Sequence, residues 1–323
     1  MSLTIWCNAK LTDSANRRLL AGTKGHRVVF SRASNASVLV GGASDPELAE
    51  ADVAFGQPAV EDCLRFARLK WIELSSAGYT RYDREDLREA LRARGAAMTN
   101  ASGVFSEPCA QHVLAMMLAL GRQLLPSHEA QRTDRAWHYT ERRAASRLLT
   151  GQTVLLLGFG AIGRRLAELL APFHMKVSAL RRQSRSESAV RVIAAEQLSS
   201  ALAEADHVVN ILPENDETRN FVNARRLECC KRGARFYNVG RGTTVDQHAL
   251  VEALHAGRLE AAYLDVTEPE PLPPEHALWT APNCYITPHT AGGRHDQDDA
   301  LAEHFLANLA AFQARGPMTD RVV

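Results

Sequence analysis

Three polar side chains stand just behind apolar runs in the second half of this 323-residue chain. "NVGRGTTVD" sets Arg241 between Gly240 and Gly242. "LDVTEPEPLPP" sets Glu270 in a proline-rich loop after a strand ending near Asp265, and "YITPHTAGG" sets His289 ahead of a glycine pair. Arg, Glu and His at successive strand ends would converge where parallel sheets collect their ligands. Together they suit a 2-oxo acid, which offers a carboxylate and a carbonyl. Arg241 can bind and polarise it, and His289 can give a proton to the carbonyl oxygen as hydride arrives. Glu270, bonded to the imidazole, would fix its tautomer and keep an acid available near neutral pH. In the oxidative direction the same histidine is the base. Duller pairings stay open: Arg241 with Asp246, Glu268 in place of Glu270, His289 as a packed or surface residue.

The hydride needs a carrier, and "LLLGFGAIGRRLAELL" supplies a site for one. Gly158, Gly160 and Gly163 have the G-x-G-x-x-G spacing. The first permits the tight turn, the second the approach of a pyrophosphate, and the third close packing of helix on strand. The N–H groups near Ala161 and Ile162 would face the phosphates at the positive end of a helix. An apolar strand before the turn, an amphipathic helix after it and a second strand about twenty residues on form the confirming context. In an NAD-binding unit that second strand normally ends on a carboxylate for the ribose hydroxyls. Here the position falls to Arg181, followed by Arg182, Ser184 and Arg185. Guanidinium groups attract a 2′-phosphate and bind it in a planar fork. NADP(H) is therefore favoured, with NAD(H) possible; a solvated basic loop is the alternative.

These residues need a scaffold, and the chain alternates strand and helix patterns throughout. "LTIWC", "HRVVF", "ADVAF" and "KWIEL" read as strands, with helical spacing in "DPELAEA" and "VEDCLRFARL". From Gly151 the strands are "TVLLLGFG", "MKVSAL", "HVVNIL", "RFYNVG", "AAYLDV" and "CYITPH". Near-continuous apolar strands between helices predict an α/β fold with parallel sheet covered on both faces. The spacing predicts a long apolar helix over Ser106 to Leu125 linking two domains, and a last helix over Asp296 to Ala314. Pro126 to Thr150 is polar and Arg-rich, a surface arm whose Trp137 needs burial from a partner subunit or from the chain's own body.

The length exceeds one comfortable core, so two domains are expected. A net charge of +1 gives no reason to expect nucleic acid or an anionic membrane as partner. Cys7, Cys63, Cys109, Cys229, Cys230 and Cys284 show neither C-x-x-C nor zinc spacing, so no metal is expected and buried free thiols are. No run of about 18 apolar residues occurs, and the start lacks a long apolar h-region, which predicts a cytoplasmic protein.

The motifs "SSAGYTRYD", "TNASGV", "LLLGFGAIGRR", "NILPENDETRNFVN", "FYNVGRGTTVD", "LDVTEPEPLP" and "ITPHTAG", in this order, resemble the D-isomer-specific 2-hydroxyacid dehydrogenases over essentially the whole chain. The resemblance implies two Rossmann- or flavodoxin-like domains with the active site in the cleft between them. Residues 1–101 plus 295–323 would bind substrate, and 102–294 the dinucleotide. It puts Arg241, Glu270 and His289 on the catalytic positions, and Ala77 and Gly78 where backbone N–H groups hold the substrate carboxylate. Asp265 falls where a carboxylate fixes the nicotinamide amide, Pro213 and Thr218 in the adenosine-side loop, and Val239 and Gly240 near the nicotinamide. It implies a homodimer embraced by the arm, and a substrate such as glyoxylate or hydroxypyruvate. Two alternatives stay open: a non-enzymatic dinucleotide-sensing binding protein like the corepressors that resemble the same family, and a dehydrogenase working in the oxidative direction. Glu270 argues against formate dehydrogenase, which carries Gln there, and no regulatory domain follows as in serine-regulated phosphoglycerate enzymes. Two departures stand out: Arg181 for the usual Asp, and Gln111 in "CAQH" where the family often has Glu.

Overall fold

The apolar runs become the strands of two all-parallel sheets. The structure, a computed structural model, describes residues 2–35, 42–181 and 190–323. The chain divides into two compact units, Met1–Phe105 with Gly293–Val323, and Ser106–Gly292.

The first unit holds β1 (Thr4–Ala9), β2 (Arg27–Asn35), β3 (Val53–Gly56), β4 (Trp71–Leu74) and β5 (Ala97–Thr99), in the order β2-β1-β3-β4-β5. Every residue of β3 and β4 is buried, as a parallel strand covered on both faces requires. Helix Gln297–Gln313 returns from the far end of the sequence to cover one face. Its Phe305 stacks on Phe55 at 4.5 Å and on Trp71 at 5.2 Å between ring centres. The next turns of chain are held by a polar cluster. His304 Nδ1 lies 2.6 Å from the buried Glu73, and its Nε2 3.1 Å from Asp320. Val322 N–H then donates to Met98 O at 2.8 Å, beside β5.

The second unit holds β6 (Thr153–Leu157), β7 (Lys176–Leu180), β8 (Arg191–Ile193), β9 (His207–Asn210), β10 (Ala234–Asn238), β11 (Leu259–Leu264) and β12 (Cys284–Ile286). Their order, β12-β11-β10-β9-β6-β7-β8, reverses at β6. Such a switch point opens a crevice at the carboxyl ends of β6 and β9, where ligands of doubly wound sheets bind.

Three expectations about the elements change. The long helix runs Ser102–Gly121, four residues ahead of the Ser–Glu start, with Pro108 inside it. Its first N–H groups are capped by Asn100, which accepts from Ser102 N at 3.1 Å, and by Asp320, which accepts from Gly103 N at 2.5 Å. The second cap lies 217 positions away in sequence, beyond the reach of local pattern. The helix ends where Gln123 turns left-handed (φ 58°), and a new helix, Leu124–Arg132, begins the arm. "DPELAEA" forms only the 3-10 turn Pro46–Glu50, and the three-residue strands β5 and β8 carry too few residues to show a pattern. A second arm helix spans Tyr139–Ala145, and Trp137 between the two is 92% exposed. The chain's own body does not bury it. The six cysteines are free, and Cys7, Cys63, Cys109 and Cys230 are buried. Among the described residues no helix is long and apolar enough to cross a membrane.

Candidate active site

The glycine turn joins β6 to helix Ala161–Leu170. Each glycine answers a different demand. Gly158 has φ +98°, and a Cβ there would come 3.1 Å from Ile211 O. At Gly163 it would press on Gly158 O and Phe159, both at 3.2 Å. At Gly160 nothing of the protein lies within 4 Å of the Cβ position. The fold does not need glycine at that place; a group approaching the turn from outside does. Ala161 and Ile162 supply N–H groups of the first helical turn, which have no intrahelical acceptor and sit at the positive end of the macrodipole. The turn thus fits a dinucleotide pyrophosphate. Arg181 follows β7 directly and is half-buried, while Arg182, Ser184 and Arg185 lie outside the described residues.

In the loop after β9, Thr218 Oγ1 donates to Pro213 O at 2.6 Å and accepts from Asn215 N at 2.9 Å, which closes the loop on itself. Next to it, β9 and β10 both end on a buried asparagine. Asn210 Nδ2 donates to Asn238 Oδ1 at 3.0 Å and to Thr244 Oγ1 at 2.7 Å. Asn238 accepts from Gly240 N at 3.1 Å and donates to Arg241 O at 3.1 Å. This fully paired network fixes the turn Val239–Gly242, and so the backbone of Arg241. A Cβ on Gly242 would fall 2.0 Å from Thr267 O, so close backbone packing requires glycine there. Asn210, Asn238 and Thr244 are not among the site residues expected from the sequence. The available signal was a polar residue closing two adjacent apolar strands.

Arg241 Nη1 donates to Gly240 O at 2.6 Å, while Asp246 is engaged as the cap of helix Gln247–His255, accepting from Ala249 N at 3.0 Å. Glu268 faces Arg219 at 3.1 Å. Glu270 faces His289, its Oε2 2.8 Å from Nδ1, and its Oε1 accepts from Thr267 N at 3.1 Å. Of the two glutamates, geometry therefore pairs Glu270 with the imidazole. Burial pushes the Glu270 carboxyl up, but the His289 hydrogen bond and charge, the Thr267 N–H and the Arg241 charge outweigh it. The group lies below its ordinary value and is ionised at neutral pH.

His289 has φ 54°, a left-handed conformation that costs a residue with a Cβ about 1–2 kcal/mol. The segment around it wraps Asp265, which is buried and accepts from Thr290 N at 2.8 Å, Ala291 N at 2.9 Å and Thr287 Oγ1 at 2.5 Å. Asp265, expected beside the nicotinamide amide, thus spends much of its acceptor capacity on the histidine loop. Cys109, in the departure from the family pattern, is buried in the same core cluster as Tyr263 and Ala291, and burial pushes its thiol up to about 12. Gln111 donates to Glu107 at 2.6 Å, and His112 stacks on Tyr263.

In the first unit, Ala77 and Gly78 lie in the loop after β4. Gln57 Nε2 donates to Ser76 Oγ at 3.0 Å, Ser76 Oγ to Gly78 O at 2.7 Å, and Asn100 Nδ2 to Ala77 O at 2.8 Å. The carbonyls of the loop are tied back, which leaves its N–H groups as the donors for an anion. Among the described residues neither the Ala77 nor the Gly78 N–H has a protein acceptor.

Residues 114–291 match the family model of the D-isomer specific 2-hydroxyacid dehydrogenase NAD-binding domain. A glyoxylate reductase of Korarchaeum cryptofilum is 30% identical over 304 residues, 92% of this chain and 85% of the relative. A crystal structure of a D-isomer specific 2-hydroxyacid dehydrogenase from Xanthobacter autotrophicus Py2, in complex with NADPH and MES, is 30% identical with a TM-score of 0.82. The match covers 100% of this chain and 98% of that one. The NADPH-dependent glyoxylate/hydroxypyruvate reductase of Sinorhizobium meliloti, solved with NADP and malonate, is 26% identical with a TM-score of 0.72, covering 100% of this chain and 97% of that one.

Proposed function

The chain belongs to the D-isomer-specific 2-hydroxyacid dehydrogenase family, and on that premise we propose that it is an NADPH-preferring reductase of a small 2-oxo acid of the glyoxylate or hydroxypyruvate kind. The observation that carries the reading is the His289–Glu270 hydrogen bond within the field of Arg241. The bound dinucleotide supplies the hydride. The Arg241 guanidinium binds the substrate and draws charge from its carbonyl as the oxygen turns anionic. The N–H groups of Ala77 and Gly78 hold the carboxylate. His289 keeps Nδ1–H on Glu270, which leaves Nε2 to donate the proton that completes the hydroxyl. The Glu270 carboxylate stabilises the imidazolium before that transfer and orients the ring after it.

Two observations support NADPH. Arg181 stands where a ribose-binding carboxylate would repel a 2′-phosphate, and the relatives from Xanthobacter and Sinorhizobium were solved with NADPH and NADP. The assay is oxidation of NADPH, with NADH as control, against a panel of 2-oxo acids. Turnover of glyoxylate or hydroxypyruvate with NADPH preferred is the expected result; absence of turnover with every 2-oxo acid overturns the activity, and equal use of NADH overturns the preference.

The reading extends to a homodimer. Trp137, Tyr139 and Arg142 line an arm groove of about 750 Å³, and a second copy of the chain would give the exposed indole the burial that its own fold does not. Sedimentation velocity of the native chain should give twice the monomer mass.

A further inference from the structure

His289 occupies a backbone region that side chains with a Cβ rarely adopt, and such a conformation persists only where its neighbours over-determine it. Asp265 is the centre of those neighbours. Its main-chain oxygen accepts from His289 N at 2.8 Å, and its carboxylate takes Thr287 Oγ1, Thr290 N and Ala291 N. One more hydroxyl reaches the cluster: Tyr263 OH lies 2.5 Å from Thr287 Oγ1. The direction of that bond follows from the count of protons. A carboxylate only accepts, so Thr287 commits its single proton to Asp265. Tyr263 must then donate to Thr287. The Tyr263 ring is wholly buried in the core of the second unit, and the His112 ring stacks on it at 5.5 Å and 24°.

We propose that Tyr263 and Thr287 are positioning residues for the proton donor: by a relay of hydroxyls onto Asp265 they clamp the left-handed backbone of His289, and so aim its imidazole at Glu270. Core packing fixes the tyrosine, the tyrosine orients the threonine, and the threonine supplies the one side-chain bond among the three donors on the carboxylate. The segment Cys109–His112 acquires a role in this scheme, because His112 stacks on the ring that starts the relay and Cys109 is buried in the same core cluster. The proposal rests on the reading of His289 as proton donor, and its test is separable from that reading.

The variants are Tyr263→Phe, Thr287→Val and, as the conservative control, Thr287→Ser. With NADPH and glyoxylate, Tyr263→Phe and Thr287→Val should lower kcat about ten-fold or more while KM and the NADPH dissociation constant stay within about two-fold, and Thr287→Ser should restore most of kcat. Independently of turnover, the downfield proton resonance of the His289 Nδ1–H, identified by its loss in His289→Ala, should broaden or vanish in Thr287→Val and survive in Thr287→Ser. An unchanged kcat and resonance in both Tyr263→Phe and Thr287→Val overturns the clamp. So does a loss carried by weaker NADPH binding, because Asp265 would then be acting on the cofactor. If the native chain turns over no 2-oxo acid, the functional reading fails while the resonance still decides the clamp.

Discussion

Glu270 Oε2 lies 2.8 Å from His289 Nδ1, while Glu268, two residues earlier, turns to Arg219 at 3.1 Å. The two glutamates are therefore unequal partners, and only one should matter to proton transfer. His289→Ala should cost about 10²–10⁴-fold in kcat with NADPH still bound. Glu270→Gln keeps a hydrogen-bond acceptor but removes the carboxylate charge beside the proton donor, so kcat should fall about ten-fold or more with NADPH still bound. Glu268→Gln should leave the rate near that of the native chain. Steady-state kinetics of the three variants check this, and a fall in kcat in Glu268→Gln instead of Glu270→Gln would refute the pairing.

Gly160 and Gly242 should fail in different ways. A methyl at Gly160 meets no protein atom, so Gly160→Ala should melt like the native chain and bind NADPH about ten-fold or more weakly. A methyl at Gly242 meets the Thr267 carbonyl, so Gly242→Ala should lose stability by about 1–3 kcal/mol. Thermal melts beside a fluorescence titration of NADPH separate the two effects.

Arg181→Asp combined with Arg182→Ser removes two cations and adds a carboxylate suited to ribose hydroxyls. A charged hydrogen bond contributes about 1.5–3 kcal/mol, so the NADPH-over-NADH ratio of kcat/KM should fall on the order of ten- to a hundred-fold. A ratio left untouched means that the 2′-phosphate is held elsewhere or is not part of the cofactor.

The His304 cluster predicts a pH window for stability. Burial lowers the proton affinity of His304, but its bonds to Asp320 and Glu73 outweigh that and raise it to about 9, from an ordinary 6.5. Because the folded value is the higher one, the stabilisation is complete below about pH 6.5 and is lost as pH rises through about 9. The melting temperature should fall across that interval, and His304→Gln should start lower and flatten the slope. An equal slope in the variant would show that other groups set the alkaline limb.

Much of the candidate site is legible in the sequence because its residues sit in local strand–turn contexts. Gly158 to Gly163, Arg241, Glu270 and His289 each follow an apolar run, and the sheet order does the rest. What escaped was built from distant pairs. Asn210 and Asn238 close two different strands and meet only after β9 and β10 align. Tyr263 and Thr287 sit on neighbouring stretches of chain, yet their bond depends on β11 and β12 lying side by side. Asp320 caps a helix whose local sequence suggested a start at Ser106. The 3-10 turn at Pro46 and the short strands β5 and β8 have too few residues for periodicity to declare them.

Phe305, seated against Phe55 and Trp71, has a consequence for biosynthesis. A ribosome delivers the strands of the first sheet well before the ring that seals them. The segment Ser106–Gly292 carries its whole seven-stranded sheet and can complete itself while translation continues. The strands of the first sheet must wait, one apolar face uncovered, until residues 293–323 have been made and close it.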